Sequence, residues 1–344
     1  MRSLRLTALV VVSALATLSA QTPEPPAYKN AALPVADRVK DLVGRMTLEE
    51  KFWQLYMIPG DLSDPTHDYS HGVFGLQIAV PEGAGPDAAR KHAETINAIQ
   101  KYFVEQTRLG IPIIAFEEAL HGLKAPGATM FPQAIGLAAT WDTDLMRRVA
   151  EASAREAATR GIRDVLSPVV NIADDVRWGR VEETYGEDPH LVSAMARAFV
   201  GGVEFTNVIA TPKHFVANVG EGGRDSYPVY HNERMLMERY FPPFQAALAA
   251  GARSVMTAYN SVDGAPATQN PRLLNDILKR DWQFGGFVIS DAAATGGATV
   301  AKPGTNLASI NDGAPQRVKR VSVWRTQESG EIEMRHNNCS TRKP

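Results

Sequence analysis

The chain has 344 residues, with 36 lysines and arginines, 38 aspartates and glutamates, and a formal net charge of -2. This length allows one large barrel or two modest domains, and either would bury a substantial core. The balanced charge excludes the strong field that gathers nucleic acid or anionic lipid, so we expect a neutral or weakly charged small-molecule ligand. The single cysteine, Cys339, excludes a disulfide framework and a thiolate metal site.

The N-terminal segment has the pattern of a secretory signal. Arg2 and Arg5 precede an apolar stretch over residues 6–18, and small residues suited to a peptidase follow it. A membrane anchor is the alternative, but the apolar stretch is short for a bilayer and a polar, proline-rich spacer comes next. We therefore predict a signal peptide over residues 1–20, a linker over 21–35, a secreted or periplasmic location, and no membrane association after cleavage.

Beyond the linker, helical and strand-like hydrophobic patterns alternate. The predicted helices cover residues 39–46, 47–56, 86–108, 144–160, 189–205 and 232–250, with another that begins at the Asn270-Pro271 pair. The predicted strands cover residues 73–80, 111–116, 165–170, 208–211, 254–258 and 286–290. Short, continuously apolar strands between helices indicate a parallel sheet buried on both faces. About six strands are visible where a closed barrel has eight, so we predict an α/β fold of the TIM-type (β/α)8-like class, incomplete at the C-terminus.

Residues 296–344 differ in character from the rest of the chain. Basic residues are scattered there among Ser, Asn, Gly and Pro without apolar periodicity. A disordered tail that binds a partner is one interpretation. We favour truncation or a reading-frame change in the source sequence, because the regular pattern stops abruptly. The predicted domain therefore covers residues 36–295, with an irregular basic tail over 296–344.

Polar side chains follow five of the predicted strands. They are Glu117, Glu118 and His121; Asn171, Asp174 and Asp175; Lys213, His214 and Asn218; Tyr259 and Asn260; and Asp291. Any one of them alone would be read as a solvated loop residue, but five coincidences favour one shared mouth at the carboxyl ends of the strands. Carboxylates, cations and aromatic rings together suit a polyhydroxylated ligand such as a sugar ring.

Other uses of these polar groups fit the sequence less well. A metal site is disfavoured because no His, Asp or Glu set has ligand spacing, so we predict neither metal nor cofactor. The glycine-rich run at residues 220–225 lacks the Lys-Ser/Thr pair and the helix placement of a nucleotide site. Asp291 ends an apolar strand, which makes it either a helix cap or a catalytic carboxylate fixed by a rigid sheet.

Several segments, in this order, resemble the N-terminal barrel domain of glycoside hydrolase family 3, the retaining β-glucosidases and β-xylosidases. The resemblance covers residues 36–295 and rests on the runs at residues 117–122, 131–133, 167–171, 177–189, 213–215, 256–260 and 290–291. It implies that Asp291 is the catalytic nucleophile. It also implies that the sugar is held by Glu118, Arg180, Lys213, His214, Arg224, Met256 and Tyr259. Tyr259 could donate a hydrogen bond to Asp291 and orient it.

The resemblance also leaves the proton donor open. In the glucosidase branch the acid/base carboxylate resembles one that a second α/β domain supplies after the barrel, and we find no such domain here. The Asp-His pair of the N-acetylglucosaminidase branch is absent from residues 219–225. We therefore expect a β-glucosidase-like barrel acting on oligosaccharides, as a fragment of a longer enzyme, with slow turnover. A β-xylosidase, a silent carbohydrate-binding barrel, and an aldolase using Lys213 as a Schiff base remain alternatives.

Overall fold

The computed structural model describes residues 25–63, 65, 67–219, 228–291 and 294. The predicted signal peptide and the predicted basic tail lie outside these residues. The chain divides into two compact units between Thr47 and Leu48. Within the described part of the chain, none of the helices combines the length and the apolar character needed to cross a membrane.

The first unit contains a short 3-10 helix, Ala27–Lys29, and helix α1, Val35–Arg45. Two hydrogen bonds join them. The backbone N–H of Tyr28 donates to Asp41 Oδ2 at 3.0 Å, and Arg38 Nε donates to the carbonyl oxygen of Tyr28 at 3.0 Å. These bonds satisfy the polar backbone groups of Tyr28.

The second unit is built of parallel strands and helices in alternation. Its helices are α2 Leu48–Trp53, α3 Ala88–Gln106, α4 Ala134–Ala138, α5 Thr143–Thr159, α6 Pro189–Phe205, α7 Glu233–Met235 and α8 Phe241–Ala249, with π-helical segments Leu236–Tyr240 and Arg272–Asp281. Short 3-10 helices lie at Tyr69–His71, Gly85–Asp87, Val176–Trp178, Val181–Glu183 and Ala267–Gln269. The predicted caps at Asn232 and Asn270 are confirmed, because their side chains accept from Met235 N and Leu273 N.

Seven parallel strands in the described residues form the frame of this unit. They are β1 Met57–Pro59, β2 Gly75–Gln77, β3 Ile114–Glu117, β4 Asp164–Val165, β5 Ile209–Ala210, β6 Ser254–Thr257 and β9 Phe287–Ser290. Strands β1 to β5 pair in chain order, and β6 pairs with β9. A parallel bridge between Phe215 and Thr257 joins the chain after β5 to β6. The predicted parallel sheet is thus confirmed.

The sheet encloses its own apolar interior. One buried cluster brings together Met57 of β1, Phe116 of β3, Leu166 after β4, Met256 of β6 and Ile289 of β9. Residues from both ends of the strand series meet only if the sheet curves around them. A larger buried cluster lies between the strands and the helices, where α5 packs on α6 and α6 on α8. The fold is therefore an α/β barrel of the TIM type.

Strand β9 lies against β6 through a close backbone approach. A Cβ atom at Gly286 would lie 2.1 Å from the carbonyl oxygen of Arg253, which accepts a hydrogen bond from Phe287 N at 3.1 Å. A side chain at residue 286 would therefore collide with the backbone that precedes β6. Glycine at this position lets β9 pair with β6 from its first residue.

An early helix end and a missed hairpin are two of the features that differ from the sequence predictions. The helix predicted over residues 47–56 ends at Trp53, and strand β1 follows at Met57–Pro59, because Tyr56 belongs to the buried core and not to a continuing helix. A hairpin of β7, Ser261–Val262, and β8, Ala265–Pro266, was also missed. Its turn residues Asp263 and Gly264 both have positive φ, which is a known signature of tight hairpins.

Candidate active site

Asp291 follows strand β9 directly, at the carboxyl edge of the barrel. Strand β9 pairs with β6 in the register Met256 to Ile289 and Thr257 to Ser290. This register brings the residues after both strands to the same edge. Asp291 is 7% exposed, so its carboxyl group is mostly withdrawn from water while the strand holds its backbone in place.

The imidazole of His214 contacts this carboxyl group. His214 Nε2 lies 3.2 Å from Asp291 Oδ2, and the His214 side chain is almost completely buried. The sequence separates the two residues by more than seventy positions, so only the barrel brings them together. A protonated histidine at this distance would balance the negative charge of a carboxylate.

Asn171 holds His214 through three contacts. The Asn171 Nδ2 donates to the carbonyl oxygen of His214 at 3.0 Å, and Asn171 Oδ1 accepts from the backbone N–H of His214 at 2.8 Å. The same Oδ1 atom lies 3.0 Å from His214 Nδ1. Both residues are buried, and Asn171 therefore fixes the backbone and the ring of His214 together.

Lys213 and Glu118 form a second contact across the mouth. Lys213 Nζ donates to both oxygens of the Glu118 carboxylate, at 2.7 and 2.8 Å. Lys213 is 2% exposed and pairs with Val169 through a parallel bridge, so the strand edge fixes its backbone. A buried ammonium needs such a counter-ion, and the pair presents both a donor and an acceptor to a ligand.

Glu117 lies beside this pair and is buried. Its Oε1 accepts hydrogen bonds from Gln77 Nε2 at 2.6 Å and from the backbone N–H of Glu118 at 2.9 Å. Burial raises the pKa of the Glu117 carboxyl above its usual value, against the two hydrogen bonds, which lower it. Glu117 thus anchors the backbone from which Glu118 reaches toward Lys213.

Arg180 lies in the connection that follows β4, between the 3-10 helices Val176–Trp178 and Val181–Glu183. Its Nε and Nη2 atoms donate to the two carboxylate oxygens of Glu183 at 2.9 and 2.8 Å. Both side chains are largely buried, so this bidentate pair fixes the guanidinium plane in a site partly shielded from water.

Of the remaining predicted site residues, the structure describes two and leaves one outside the described part of the chain. Tyr259 is half-buried, two residues after β6, at the same edge as Asp291. Met256 is 1% exposed within the interior cluster of the barrel. Arg224 lies outside the described residues. The structure therefore joins Glu118 to Lys213 and His214 to Asp291 by direct contact, while the sugar-binding roles of all seven residues and the nucleophilic role of Asp291 stay predictions.

The site could perform nucleophilic catalysis by a carboxylate. A buried, strand-held aspartate with a histidine beside it is placed to attack an electrophilic carbon, and the Lys213–Glu118 pair can grip a polar ligand. In the part of the chain that the structure describes, no group of three or more His, Cys, Asp or Glu residues could hold a metal ion.

Asn171 and Glu117 are the functional candidates whose roles the sequence did not reveal. Both were noted among the polar residues that follow strands, but their partners could not be known. Asn171 contacts a residue 43 positions away, and Gln77 reaches Glu117 across 40 positions. The one feature of the sequence that could have indicated these roles is that each residue directly follows a continuously apolar run. A polar side chain at such a position must be solvated or hydrogen-bonded.

Comparison with known proteins places the chain in a family. A family model described as the glycosyl hydrolase family 3 N terminal domain matches residues 47–310. A β-xylosidase of Formosa agariphila is 42% identical over 205 residues, which are 54% of this chain and 28% of the relative. A periplasmic β-glucosidase of Salmonella typhimurium is 34% identical over 263 residues, covering 74% of this chain and 33% of the relative.

Solved structures agree with these matches. A β-glucosidase from Erythrobacter marinus superposes with a TM-score of 0.74 at 34% identity, over 83% of this chain and 42% of that one. A β-glucosidase from Listeria innocua in complex with isofagomine superposes with a TM-score of 0.66 at 33% identity, over 76% and 37% of the two chains. The chain thus spans about a third of the length of the first curated relatives. The family model covers most of this chain, and the protein belongs to glycosyl hydrolase family 3.

Proposed function

We propose that the protein hydrolyses terminal non-reducing β-D-glucosidic bonds of oligosaccharides with retention of configuration. The position of Asp291 carries this proposal, because its buried carboxyl group directly follows the rigid strand β9 and lies 3.2 Å from His214 Nε2 at the carboxyl edge of the barrel. The relatives named β-glucosidase, and the two superposed β-glucosidase structures, support the choice of sugar.

In the proposed reaction, an Asp291 oxygen attacks C1 of the sugar. The C1–O bond to the leaving group breaks as the Asp291 ester forms, and the leaving oxygen takes a proton from a general acid. Water then attacks C1 and gives a proton to the conjugate base of that acid, while the bond between C1 and the Asp291 oxygen breaks and the carboxylate is restored. Glu118, Lys213 and Arg180 bind ring hydroxyls. The complete set of proposed sugar-binding residues also includes His214, Arg224, Met256 and Tyr259.

A 2-fluoro-glucoside with a good leaving group tests the nucleophile. We expect mass spectrometry to find the fluorosugar on a peptide containing Asp291, and we expect no label on Asp291→Ala. Asp281→Asn, which changes an exposed aspartate before the same strand, is the matched control and should be labelled like the wild type. A label on any other residue, or full labelling of Asp291→Ala, would refute the assignment.

A β-xylosidase is the second candidate, because the relative with 42% identity bears that name. The corresponding 2-fluoro-xyloside distinguishes the two, since faster labelling by the xyloside favours the xylosidase. A binding barrel without catalysis would show sugar affinity and no label. A Schiff-base aldolase needs a neutral lysine amine. Lys213 instead forms a salt bridge with Glu118, which is the arrangement of a charged ammonium.

The dependence of the cleavage rate on the leaving group shows whether a general acid takes part in the reaction. Positioned acid catalysis is commonly worth about 100 to 10000-fold, so its absence slows poor leaving groups most. Comparing the rates on a dinitrophenyl glucoside and on cellobiose therefore tests whether this chain contains a general acid: a far faster rate on the dinitrophenyl glucoside would show that it does not. Comparable rates on both substrates would show that the chain supplies its own acid.

We also propose that the protein is secreted or periplasmic. The N-terminal pattern at residues 1–20 supports export, and one relative is named periplasmic. Sequencing the N-terminus of protein recovered outside the cytoplasm tests this. A mature chain that still begins at Met1 would contradict the proposed cleavage.

A further inference from the structure

The segment over residues 213–218 carries two of the candidate site residues on an irregular backbone. Parallel bridges join it to Val169 on one side and to Thr257 on the other, so it continues the sheet between the ends of β4 and β6. The segment turns at Ala217, which is completely buried and has a φ angle of 57°. A residue other than glycine is disfavoured in this left-handed region, so the turn persists only where its surroundings hold it.

The side chain of Asn260 holds this turn. Asn260 Nδ2 donates to the carbonyl oxygen of Ala217 at 3.1 Å and to that of Ser261 at 3.3 Å. Both carbonyl oxygens accept only, so the end of the amide that faces them must be the nitrogen, which carries two hydrogens. Asn260 is 2% exposed, and bulk water therefore competes little for its bond to Ala217.

The backbone of Asn260 is anchored as well. Its carbonyl oxygen accepts a hydrogen bond from the backbone N–H of Ala267 at 3.0 Å. Tyr259, which we predict to bind the sugar, directly precedes Asn260 in the chain. One amide thus links the connection after β6, which carries Tyr259, to the connection after β5, which carries Lys213 and His214.

Other bonds hold the same segment nearer to its start. Asn171 bonds to the backbone N–H and carbonyl oxygen of His214 at 2.8 and 3.0 Å. The backbone N–H of Phe215 donates to the carbonyl oxygen of Met256 at 2.7 Å. The Asn260 bond adds a hold at the turn with which the segment ends.

We infer that Asn260 is a positioning residue that fixes the segment over residues 213–218 from the side of β6. Without its amide the turn at Ala217 loses this support, and Lys213 and His214 shift relative to the carboxylates that they contact. Asn260 acts through the segment and not by touching the substrate. The inference deepens the proposed function, and only its expected effect on catalysis rests on that function.

Hydrogen exchange in the full chain tests the inference without requiring activity. The backbone N–H groups of His214 and Phe215 are both hydrogen-bonded, so they exchange when the segment opens. Mass spectrometry of a peptide that covers residues 213–218 measures this exchange. We expect it to be about tenfold faster in Asn260→Ala than in the wild type, because the variant has lost a buried hydrogen bond at the end of the segment.

Asn270→Ala is the matched control. Asn270 is also buried and also makes two hydrogen bonds, from its Nδ2 to the carbonyl oxygen of Val262 and to its Oδ1 from the backbone N–H of Leu273, each at 3.2 Å. Denaturant unfolding measures the global stability that each variant loses. Faster exchange over residues 213–218 in Asn260→Ala than in Asn270→Ala supports the inference, whereas equal exchange in the two variants overturns it.

Asn260→Leu separates the hydrogen bond from the volume of the side chain. Leucine has nearly the shape of asparagine and no donor, so it retains the packing and loses the bond. We expect Asn260→Leu to exchange as fast over residues 213–218 as Asn260→Ala does. Exchange at the wild-type rate would mean that Asn260 merely fills space, and would contradict the inference. Either variant decides the question if the other does not fold.

Labelling of Asp291 by the 2-fluoro-glucoside measures the effect on catalysis. We expect the rate constant at saturating reagent to fall about 10- to 100-fold in Asn260→Leu and to stay near the wild-type value in Asn270→Ala. A loss of folded protein alone would lower the amount of labelled protein and leave this rate constant unchanged, and that result would contradict the inference. Failure of labelling in the wild type would instead count against the proposed function, and hydrogen exchange would still decide the role of Asn260.

Discussion

Lys213 and Glu118 lie 95 positions apart in the chain, yet the Lys213 ammonium donates to both Glu118 carboxylate oxygens. Neither residue has its partner nearby in sequence, so the barrel alone brings them together. The pair is asymmetric in burial, since the Lys213 side chain is 3% exposed and that of Glu118 is 28% exposed. Loss of Glu118 would leave a buried ammonium without a counter-ion, whereas loss of Lys213 would leave a carboxylate that water can still reach. We therefore expect the loss of Glu118 to cost more stability.

A double-mutant cycle of Glu118→Gln and Lys213→Met measures this dependence. We expect a coupling free energy of about 1 to 3 kcal/mol in denaturant unfolding, because each single change leaves a partner without its counter-charge. The exposed Lys101–Glu105 pair, at 3.9 Å, is the control, and the cycle of Lys101→Met with Glu105→Gln should give less than about 1 kcal/mol. Equal coupling in both cycles would contradict the structure.

Asp164 is completely buried at the start of β4, and burial raises its pKa to about 7, partly opposed by the hydrogen bond from Thr211 Oγ1 at 2.8 Å. The folded carboxyl thus binds a proton more tightly than the unfolded one, so stability falls as the pH rises from about 4 through 7. Above that window the charged form costs up to about 4 kcal/mol.

Asp164→Asn keeps an oxygen for Thr211 and removes the charge. We therefore expect the variant to gain stability over the wild type at pH 8 and to lose most of that advantage at pH 4, as measured by denaturant unfolding at both pH values. Asp144→Asn, at an exposed position, is the control and should change little with pH. A stability difference that is the same at both pH values would show that Asp164 does not titrate in this window.

Tyr240 Oη donates to Asp174 Oδ2 at 2.6 Å, which ties the π-helical segment Leu236–Tyr240 to the loop after β4. Tyr240→Phe removes this bond and leaves the ring in place. We expect a loss of about 1 to 2 kcal/mol in the free energy of unfolding. Tyr102→Phe, at a half-buried tyrosine of α3, is the matched control, and an equal loss there would mean that the phenol bond contributes nothing specific.

Alanine substitutions at Gly286 and Gly285 form a matched pair that tests the close packing of β9 against β6. A Cβ at Gly286 would lie 2.1 Å from Arg253 O, whereas a Cβ at Gly285 meets nothing within 4 Å. We expect Gly286→Ala to lower the free energy of unfolding by about 2 kcal/mol or more and to reduce labelling of Asp291, because β9 carries the aspartate. Gly285→Ala should leave both close to wild type. If the two variants behave alike, the observed β6–β9 register is wrong.

Much of the fold could be predicted because helix ends and buried strands leave local signals. Helix α6 matches its predicted bounds, and the predicted strand before Asp291 matches β9 to within one residue. The caps at Asn232 and Asn270 were readable because capping involves residues three positions apart. Strand β1 was missed because three residues carry no periodicity, and Trp53 and Tyr56 continue the helical spacing by coincidence.

The candidate site was predictable in its residue types and not in its pairings. Strand-end positions identified Glu118, Lys213, His214 and Asp291 as neighbours of one edge. The pairing of cations with carboxylates depends on the direction of the side chains and on the curvature of the sheet. Neither can be predicted from the local sequence. The amide of Asn171, which acts on a ring 43 positions away, is the clearest example.

Lys213 and His214 are consecutive residues that serve different carboxylates, Glu118 and Asp291. A substitution at either position removes the contact with one carboxylate, whereas an insertion or deletion of one residue just before Lys213 would displace both at once. The connection between β5 and this dipeptide therefore has a fixed length. A change of one residue in any other connection of the barrel would not displace both of these contacts at once, so those connections leave more room for altering the preference for a ligand.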